Sequence, residues 1–469
     1  MTASSPAPLT EDVLSHADAA QPEALERLFA LLRIPSISAQ PRHAEDCRAA
    51  AQWLRDDLAA IGFDARVADT PGHPMVVAHD VGKSGLPHVL FYGHYDVQPV
   101  DPLSLWSSDP FAPAIVTGED GRQVIVARGA SDDKGQLMTF IEACRAWKQV
   151  HGDLPLNVSV LIEGEEESGG ANLLPFLKAH AAELGAGLAL ICDTDMPNRT
   201  TPAITTALRG LVGEEVVIQC AGRDLHSGMY GNAARNPIEL LCTILATIRD
   251  ETGRVTLPGF YDDVQLPSES QRKQWRALFP DDSVLLGPVG LSEAAGEDGF
   301  TAIEQVWCRP SFEINGISGG YEEDGFKTVL PAKAMAKISF RLVPGQDPQR
   351  IRAAFRERVA GLLPPDATVT FSAHGASSGF AVPQDGPDLR RALDALGEEW
   401  GVPAVATASG GSIPVVAEVQ EALGIDSLLI GFAQSDDRIH SPNEQYGVEN
   451  FRKGVRSWVR VLAALAVPG

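Results

Sequence analysis

Histidine and carboxylate side chains stand where apolar runs of this sequence end. His94 and Asp96 close the run 88–97, and their spacing of two residues puts both side chains on the same side of an extended strand. An imidazole next to a carboxylate that can fix its tautomer is a frequent arrangement in metal sites. The pair taken alone fits a structural histidine at a strand end equally well. Further ligands at the ends of later strands would decide between the two interpretations.

Four later segments supply candidate ligands of this kind. They are 128–135 with Asp132 and Asp133, 163–170 with Glu165, Glu166 and Glu167, 192–195 with Asp193 and Asp195, and 436–444 with His440. One aspartate of the first segment could simply cap the helix that follows it, and an acidic run is usually a solvated surface. Carboxylates and histidines that converge on one edge of a sheet repel each other unless cations lie among them. The segments together therefore indicate a metal centre.

The composition narrows the class of protein. The 469 residues are 44% hydrophobic and 21% charged, as expected for an ordinary globular protein of about two or three domains. A net charge of −24 argues against nucleic acid or an anionic membrane as the main partner. The six cysteines show no C-x-x-C spacing, which favours a reducing cytoplasm over a disulfide framework. The first residues do not resemble a signal peptide, and no apolar run could span a bilayer, so we expect a cytoplasmic protein.

The elements that must position the candidate ligands alternate between strands and helices. Strands are predicted at 75–79, 88–97, 124–127, 156–162 and 187–192, and helices at 22–33, 44–60, 134–150 and 171–182. This alternation predicts an α/β fold with a doubly wound, mostly parallel sheet. Functional groups of such sheets collect outside the carboxyl ends of the strands, where the candidate ligands are expected to meet.

The pattern changes near residue 209 and returns near residue 380. Strands are predicted at 213–220, 311–317, 334–343 and 367–374, helices at 236–250 and 348–362, and an irregular stretch at 251–310. This order predicts an inserted α+β domain of the ferredoxin-like type at 209–379. The main domain would consist of 1–208 and 380–469, completed by a helix at 387–399, a strand at 427–432 and a helix at 448–465, with residues 1–8 disordered.

A series of motifs runs through both predicted domains. They are GHYDVQP, ARGASDDKG, EGEEESGG, ICDT, DLHSGMYG, ISGGYEEDGFKTVLPAKAMAKISFRLVPGQDP, ASGGSIPV and IHSPNE, and they span residues 93–444. In this order they resemble the di-metal aminoacylase/carboxypeptidase superfamily, and most closely its carnosinase-like cytosolic nonspecific dipeptidases. The resemblance implies a catalytic domain with two divalent metal ions per subunit, and an inserted domain that acts as a lid and forms a homodimer.

The resemblance also assigns roles at the metal centre. It makes His94, Asp132 and Asp193 ligands of one metal ion and Asp132, Glu167 and His440 ligands of the other, with Asp96 orienting His94 and Glu166 as general base. The residues alone leave the register of the three glutamates and the choice between Asp193 and Asp195 open. Nitrogen and oxygen ligands without sulfur suit Zn, Mn or Co, and affinity favours Zn over Mn. The family also holds the peptide bond after the bridging aspartate in cis, which we expect for Asp132–Asp133.

The same resemblance implies substrate contacts outside the metal centre. They are His226, Thr328 and Arg341 in the inserted domain and Gly410, Gly411 and Ser412 in the main domain. The fork of a guanidinium suits the terminal carboxylate of a substrate, and two glycines with a hydroxyl offer a backbone nest for the same group. Without the motif, Arg341 reads as a surface arginine and His226 as a loop histidine. His374 could assist or serve a structural role.

These assignments predict a metal-dependent hydrolase that cleaves the amide bond of dipeptides or similar N-acyl amino acids. Water activated between two metal ions would attack the carbonyl, and Glu166 would accept the proton. One alternative is an N-acyl amino acid deacylase of the acetylornithine or succinyl-diaminopimelate type. The stretch at 251–310, which resembles the longer lid of the dipeptidase branch, argues against it. The other alternative is a non-catalytic binding protein with the same fold, and the intact set of ligands with Glu166 argues against that.

Overall fold

The chain folds into two compact units. The structure is a computed structural model that describes residues 10–118, 120–411 and 413–467. Unit 1 comprises the described residues of Met1–Thr206, Val382–Thr407 and Pro414–Gly469, and unit 2 those of Ala207–Ala381 and Ala408–Ile413. The predicted insertion differs from the longer segment of unit 2 by two residues at each end. The expected disorder of 1–8 and the predicted role of Ser412 lie outside the described residues.

The strands are short to medium in length and occur in both units. They are β1 (Asp64–Ala68), β2 (Met75–Asp80), β3 (His88–His94), β4 (Ala114–Thr117), β5 (Gln123–Val126), β6 (Asn157–Glu163), β7 (Leu188–Ile191), β8 (Ala203–Leu208), β9 (Gly210–Gln219), β10 (Leu225–His226), β11 (Ser311–Gly319), β12 (Val329–Leu330), β13 (Lys333–Leu342), β14 (Thr368–Ser377), β15 (Phe380–Ala381), β16 (Val405–Ser409), β17 (Asp426–Leu429) and β18 (Gln445–Gly447).

The helices follow the same chain order. They are α1 (Thr10–Ala19), α2 (Gln21–Leu32), α3 (Ala44–Ala60), α4 (Lys134–His151), α5 (Leu173–Leu184), α6 (Ser227–Tyr230), α7 (Pro237–Ala246), α8 (Glu269–Leu278), α9 (Ser283–Leu286), α10 (Ala302–Cys308), α11 (Pro348–Gly361), α12 (Pro387–Trp400), α13 (Pro414–Leu423) and α14 (Val448–Leu465). Each of these helices is too short or too polar to cross a lipid bilayer.

The sheet of unit 1 is parallel at its centre. Strands β6, β3, β7 and β17 lie side by side in this order and run in parallel. Strands β2 and β1 extend the sheet on one side and β8 on the other, all through antiparallel pairing. The predicted α/β fold with a mostly parallel central sheet is therefore confirmed. The carboxyl ends of the four central strands share one edge, as the sequence predicts for the site.

One predicted strand of this sheet lies elsewhere in unit 1. β5, expected at 124–127 beside the parallel strands, forms a three-stranded antiparallel sheet with β4 and β18. The prediction was wrong because an apolar run reveals a buried strand but not its hydrogen-bonding neighbour. The position of β5 matters, because Asp132 follows β5 and His440 precedes its neighbour β18.

Aromatic packing fixes the helices behind the parallel strands. Phe91 of β3 stacks on Phe140 of α4 with ring centroids 3.7 Å apart, and Trp458 of α14 meets both rings edge-on. The three side chains are fully buried. Such aromatic pairs add to the free energy of apolar burial. They hold α4, which begins two residues after Asp132, firmly against the strand that ends at His94.

Unit 2 is built on a four-stranded antiparallel sheet in the order β11, β13, β9, β14. The chain order of its main elements is β9, α7, β11, β13, α11, β14, which is the predicted strand–helix–strand–strand–helix–strand succession. Strand β9 alternates buried and half-buried residues, with Val212, Val216 and Ile218 facing the core beneath the helices. One face of the sheet is therefore covered, as the alternation of the sequence indicates.

The stretch at 251–310 is more ordered than predicted. It contains α8 and α10, and both helices begin with a capping box: Ser268 with Gln271, and Thr301 with Glu304. These S-x-x-Q and T-x-x-E patterns were a readable signal for helix starts. The sequence prediction also omitted α1, α13 and several strands, among them β1, β4, β8, β16 and β18.

Candidate active site

The ligands predicted from the sequence lie in or next to strands of unit 1, four of them at or after the end of a strand and His440 before the start of one. β3 ends at His94 and β6 at Glu163, and these two residues are register partners in the parallel sheet. Asp193 follows the end of β7 by two residues. Asp132 lies after β5 and His440 before β18, and the pairing of these two strands brings their loops together.

Two groups of ligand atoms share one carboxylate. In the first group, Nε2 of His94 lies 3.0 Å from Oδ1 of Asp132 and 3.9 Å from Oδ2 of Asp193. In the second group, Nε2 of His440 lies 2.9 Å from Oδ2 of Asp132 and 3.1 Å from Oε2 of Glu167. The ligand atoms of each group lie within 4.8 Å of one another. Because Asp132 contributes one oxygen to each group, the residues fit two neighbouring metal ions bridged by this carboxylate.

The concentration of charge changes the pKa of several ligands. Hydrogen bonds to Asp132 and Glu167 raise the pKa of His440 to about 10. Burial lowers the pKa of His94, but hydrogen bonds to Asp132 and Asp96 outweigh burial and raise this pKa well above its usual range. Burial and the Asp132 carboxylate raise the pKa of Asp193. Divalent cations among these carboxylates would relieve their mutual repulsion.

Asp96 orients His94 through two different groups. Nδ1 of His94 donates to the backbone oxygen of Asp96 at 3.1 Å and lies 3.4 Å from the carboxylate Oδ1. The other carboxylate oxygen accepts hydrogen bonds from Ser38 Oγ and from the backbone N of Glu167. A proton held on Nδ1 leaves the lone pair of Nε2 free for a metal ion. Asp96 therefore contacts one ligand and the backbone of another.

The three consecutive glutamates have different surroundings. Glu165 accepts a hydrogen bond from Asn172 Nδ2 at 2.6 Å. Glu167 belongs to the second ligand group, and its Oε2 accepts a hydrogen bond from Gln98 Nε2 at 2.7 Å. Glu166 belongs to neither group; burial raises its pKa, opposed by the charge of His94. Of the three glutamates, Glu167 is the one that belongs to a ligand group among the described residues.

The loop of the bridging carboxylate has a tight local geometry. The peptide bond Asp132–Asp133 is cis, as predicted. Asp133 Oδ2 accepts a hydrogen bond from the backbone N of His94 at 3.2 Å. A Cβ atom at Gly93 would lie 2.9 Å from this oxygen, so a side chain there would shift the Asp133 carboxylate that accepts the His94 hydrogen bond. Asp195, the alternative to Asp193, lies in neither ligand group.

The described residues that were predicted to contact substrate all lie in unit 2. Arg341 is half-buried on β13, and its register partners are Leu211 on β9 and Ser311 on β11. Thr328 is exposed, and its backbone oxygen accepts a hydrogen bond from Ser227 N at 3.0 Å. Arg341 therefore stands on the sheet, whereas Thr328 lies on a surface loop.

Gly410 and Gly411 were expected in the main domain, but they belong to unit 2. Arg209 contacts both: its Nε donates to the oxygen of Gly410 at 3.0 Å, and its backbone N donates to the oxygen of Gly411 at 3.1 Å. Burial and the neighbouring charge of Arg341 lower the pKa of Arg209 to about 10. Sequence reasoning missed Arg209, although an arginine that directly follows an apolar strand was a signal.

Two further residues contact the ligands, a third pairs with one of these two, and none of the three was singled out from the sequence. Gln98 bonds to Glu167, and Glu444 accepts a hydrogen bond from the backbone N of Asp132 while pairing with Arg128. Each of the three lies inside one of the matched motifs, which was the available signal. Their residue types alone did not identify them as part of the site, because neither a buried ion pair nor an amide has an obvious catalytic role.

Two ligand groups joined by one carboxylate, with a separate glutamate beside them, are the arrangement expected of a metal-dependent hydrolase. A model of Peptidase family M20/M25/M40 matches residues 90–464. The chain belongs to this family.

Similar proteins cover nearly the whole chain. The Cys-Gly metallodipeptidase DUG1 of Saccharomyces cerevisiae is 27% identical over 96% of this chain and 97% of its own. The human Beta-Ala-His dipeptidase is 27% identical over 99% of this chain and 94% of its own. Among solved structures, the M20 family metallo-carboxypeptidase Sso-CP2 of Sulfolobus solfataricus matches with a TM-score of 0.79 and 30% identity, over 95% of this chain and 99% of its own. The resemblance predicted from the motifs is confirmed.

Proposed function

We propose that the protein is a metallodipeptidase that hydrolyses the amide bond of dipeptides with two divalent metal ions. The main support for the proposal is that Asp132 belongs to both ligand groups, whereas Glu166 lies beside them and belongs to neither. The similar proteins from yeast and human are named as dipeptidases, which supports dipeptides as the substrate class.

The metal ions would be held by the two described ligand groups. When bound, they would supply Lewis-acid chemistry that polarises the scissile carbonyl and lowers the pKa of a water molecule. The donor set consists of imidazole nitrogen and carboxylate oxygen, which suits Zn, with Mn and Co as alternatives. Asp96 keeps His94 in the tautomer that binds a metal ion.

Glu166 handles the proton of the reaction. It accepts a proton from the attacking water and delivers it to the nitrogen of the leaving amine, so that the carboxylate is regenerated after each turnover. Its raised pKa suits a group that must gain and lose a proton near neutral pH. Arg341 binds the terminal carboxylate of the substrate, and Thr328, Gly410, Gly411 and Ser412 assist, in accordance with the family resemblance.

The substrate class can be tested on the purified protein. Metal content is measured, and hydrolysis of Cys-Gly and β-Ala-His is followed by mass spectrometry, with an N-acetyl amino acid and a pentapeptide as comparison substrates. A dipeptidase binds two metal ions and cleaves the dipeptides, and it loses activity with a chelator. Preference for the N-acetyl amino acid would support the deacylase alternative, and stepwise shortening of the pentapeptide would support a carboxypeptidase. Metal binding without any hydrolysis would leave the non-catalytic alternative.

We also propose a homodimer formed through unit 2, in which His226 completes the site of the partner. Nδ1 of His226 accepts a hydrogen bond from Gly228 N at 3.0 Å, which places the ring proton on Nε2, where it can donate to a carbonyl oxygen that gains negative charge. The edge strand β11 has a single neighbour among the described strands. Met229 and Phe326 are 75% and 91% exposed, as expected for side chains that a second copy would cover.

A mixing experiment tests whether His226 acts across the interface. Homodimers of Glu166→Ala and of His226→Ala should both be nearly inactive. In a heterodimer of the two variants, one site has an intact Glu166 and faces a partner with an intact His226, so about half of the heterodimer sites should recover activity. Heterodimers that form without recovery would show that His226 does not act in trans.

We also propose that the protein resides in the cytoplasm. All six cysteines are free thiols, which fits a reducing cytoplasm.

A further inference from the structure

A buried carboxylate ties the loop of Asp132 to the loop of His440. Glu444 is completely buried and lies four residues after His440. Its Oε1 accepts hydrogen bonds from the backbone N of Ser131 at 2.9 Å and of Asp132 at 3.0 Å. Its Oε2 accepts from the backbone N of Gly129 at 3.0 Å and from Arg128 Nη1 at 2.8 Å.

Further hydrogen bonds join the same two loops. The backbone oxygen of Glu444 accepts from Ala127 N at 3.2 Å, directly beside the pairing of β5 with β18. Asp437 Oδ2 accepts hydrogen bonds from Ser131 Oγ and from Gln434 N, both at 2.8 Å. The loop of the bridging carboxylate is thus bound at several points to the loop that carries His440.

A buried ion pair at this place is not explained by stability alone. The desolvation of two charges commonly offsets their attraction, so that a buried pair is weak evidence for a gain in stability. The Arg128–Glu444 pair is almost fully buried, with side-chain exposures of 2% and 1%. The Glu444 carboxylate accepts hydrogen bonds from three backbone N–H groups of 129–132 and from the Arg128 side chain, so the property that it controls is the position of this segment.

We propose that Glu444 is a positioning residue that holds Asp132 and His440 at the separation required for the second metal ion. This inference rests on the proposed function, because it concerns the ligands of a metal ion. Glu444 bonds to the backbone of Asp132 and belongs to the segment that carries His440, so it acts on both ligands without binding the metal ion. Loss of its carboxylate lets the two loops separate and weakens metal binding.

The test compares two buried carboxylates of unit 1. Glu444→Gln removes the charge from the loop contact. Glu399→Gln is the matched control, because Glu399 is buried and accepts hydrogen bonds from Lys453, Arg456 and Arg460, none of which belongs to a ligand group. Metal affinity is measured by competition with a chelator, using Zn²⁺ and Co²⁺, and thermal unfolding is measured in excess EDTA.

We expect Glu444→Gln to bind metal about 10–100-fold more weakly than the wild type, the usual cost of losing a partner of a metal ligand. Glu399→Gln should lower the unfolding temperature by about as much as Glu444→Gln does, but it should bind metal as the wild type does. Unchanged affinity in Glu444→Gln would overturn the inference. An equal loss of affinity in Glu399→Gln would also overturn it, because general destabilisation would then explain the effect.

A second variant covers the case in which Glu444→Gln does not fold. Arg128→Lys keeps the charge, but a single ammonium group cannot reproduce the two contacts of Arg128, to Glu444 at 2.8 Å and to the oxygen of Pro99 at 3.1 Å. Its metal affinity should fall several-fold, and wild-type affinity in this variant would overturn the inference. Absence of metal binding by the wild type would instead refute the proposed function, so the two failures are distinguishable.

Discussion

Replacement of Glu166 by glutamine separates proton transfer from metal binding. The glutamine side chain has the same shape but cannot accept the proton of water. A general base contributes about 10²–10⁴-fold to the rate. At about 1.4 kcal/mol for each factor of ten, Glu166→Gln should therefore raise the activation free energy by about 3–5 kcal/mol. Because Glu166 belongs to neither ligand group, metal content should stay at two ions per subunit.

The neighbouring glutamates provide matched controls for this substitution. The Glu165 carboxylate is bound to Asn172, so Glu165→Gln should keep kcat within about threefold of the wild type. Glu167 supplies an oxygen to the second ligand group, so Glu167→Gln should lose metal as well as activity. The three variants differ only in which of three consecutive residues is changed, and each has its own expected combination of kcat and metal content.

Steady-state kinetics with a dipeptide and metal analysis by mass spectrometry provide the two measurements. The expected result for Glu166→Gln is a low kcat with KM and metal content near those of the wild type. If Glu166→Gln lost a metal ion while Glu167→Gln kept both, the register of base and ligand would be reversed. If Glu166→Gln kept its kcat, this carboxylate would not be the base, and the reasoning from its position would fail.

Two further predictions concern charged residues away from the ligands. Arg341→Lys should raise KM about tenfold or more, because a single ammonium group loses the paired hydrogen bonds to a substrate carboxylate. Replacement of the exposed Arg350 by lysine is the control, and an unchanged KM in Arg341→Lys would contradict the assignment. Burial would raise the pKa of Glu399, but hydrogen bonds from Arg456 and Lys453 outweigh burial and lower this pKa. The Glu399 carboxylate therefore stabilises the fold at pH values above its unfolded-state pKa of about 4.3, and this stabilisation is lost as the pH falls through the folded-state pKa. In EDTA, Glu399→Gln should therefore unfold about 3–5 kcal/mol more easily than the wild type at pH 7, and the difference should shrink towards pH 3; a difference independent of pH would refute this reasoning.

The sequence predicts the parallel strands, and the candidate ligands that end or follow them, because both depend on local patterns. The apolar runs that end at His94 and Glu163 identify their strands, and the polar residues that follow identify the site edge. What the sequence does not reveal is strand pairing, and β5 was therefore assigned to the wrong sheet. The partners of Glu444 were hidden for the same reason, since Arg128 lies more than three hundred residues away along the chain. Long-range pairing follows from the fold, which no local pattern encodes.

The separate sheet of β4, β5 and β18 gives the metal centre its particular construction. His94, Glu167 and Asp193 follow strands of the parallel sheet, whereas Asp132 and His440 follow or precede strands of the three-stranded sheet. Each ligand group combines residues from both sheets, so the two sheets must be correctly placed before either group is complete. A metal ion bound by such a group stabilises this placement in turn, because it binds the folded arrangement and not the unfolded chain. Glu444 contributes to this placement, because its carboxylate fixes the two loops of the three-stranded sheet to each other and leaves the parallel sheet to supply the remaining ligands.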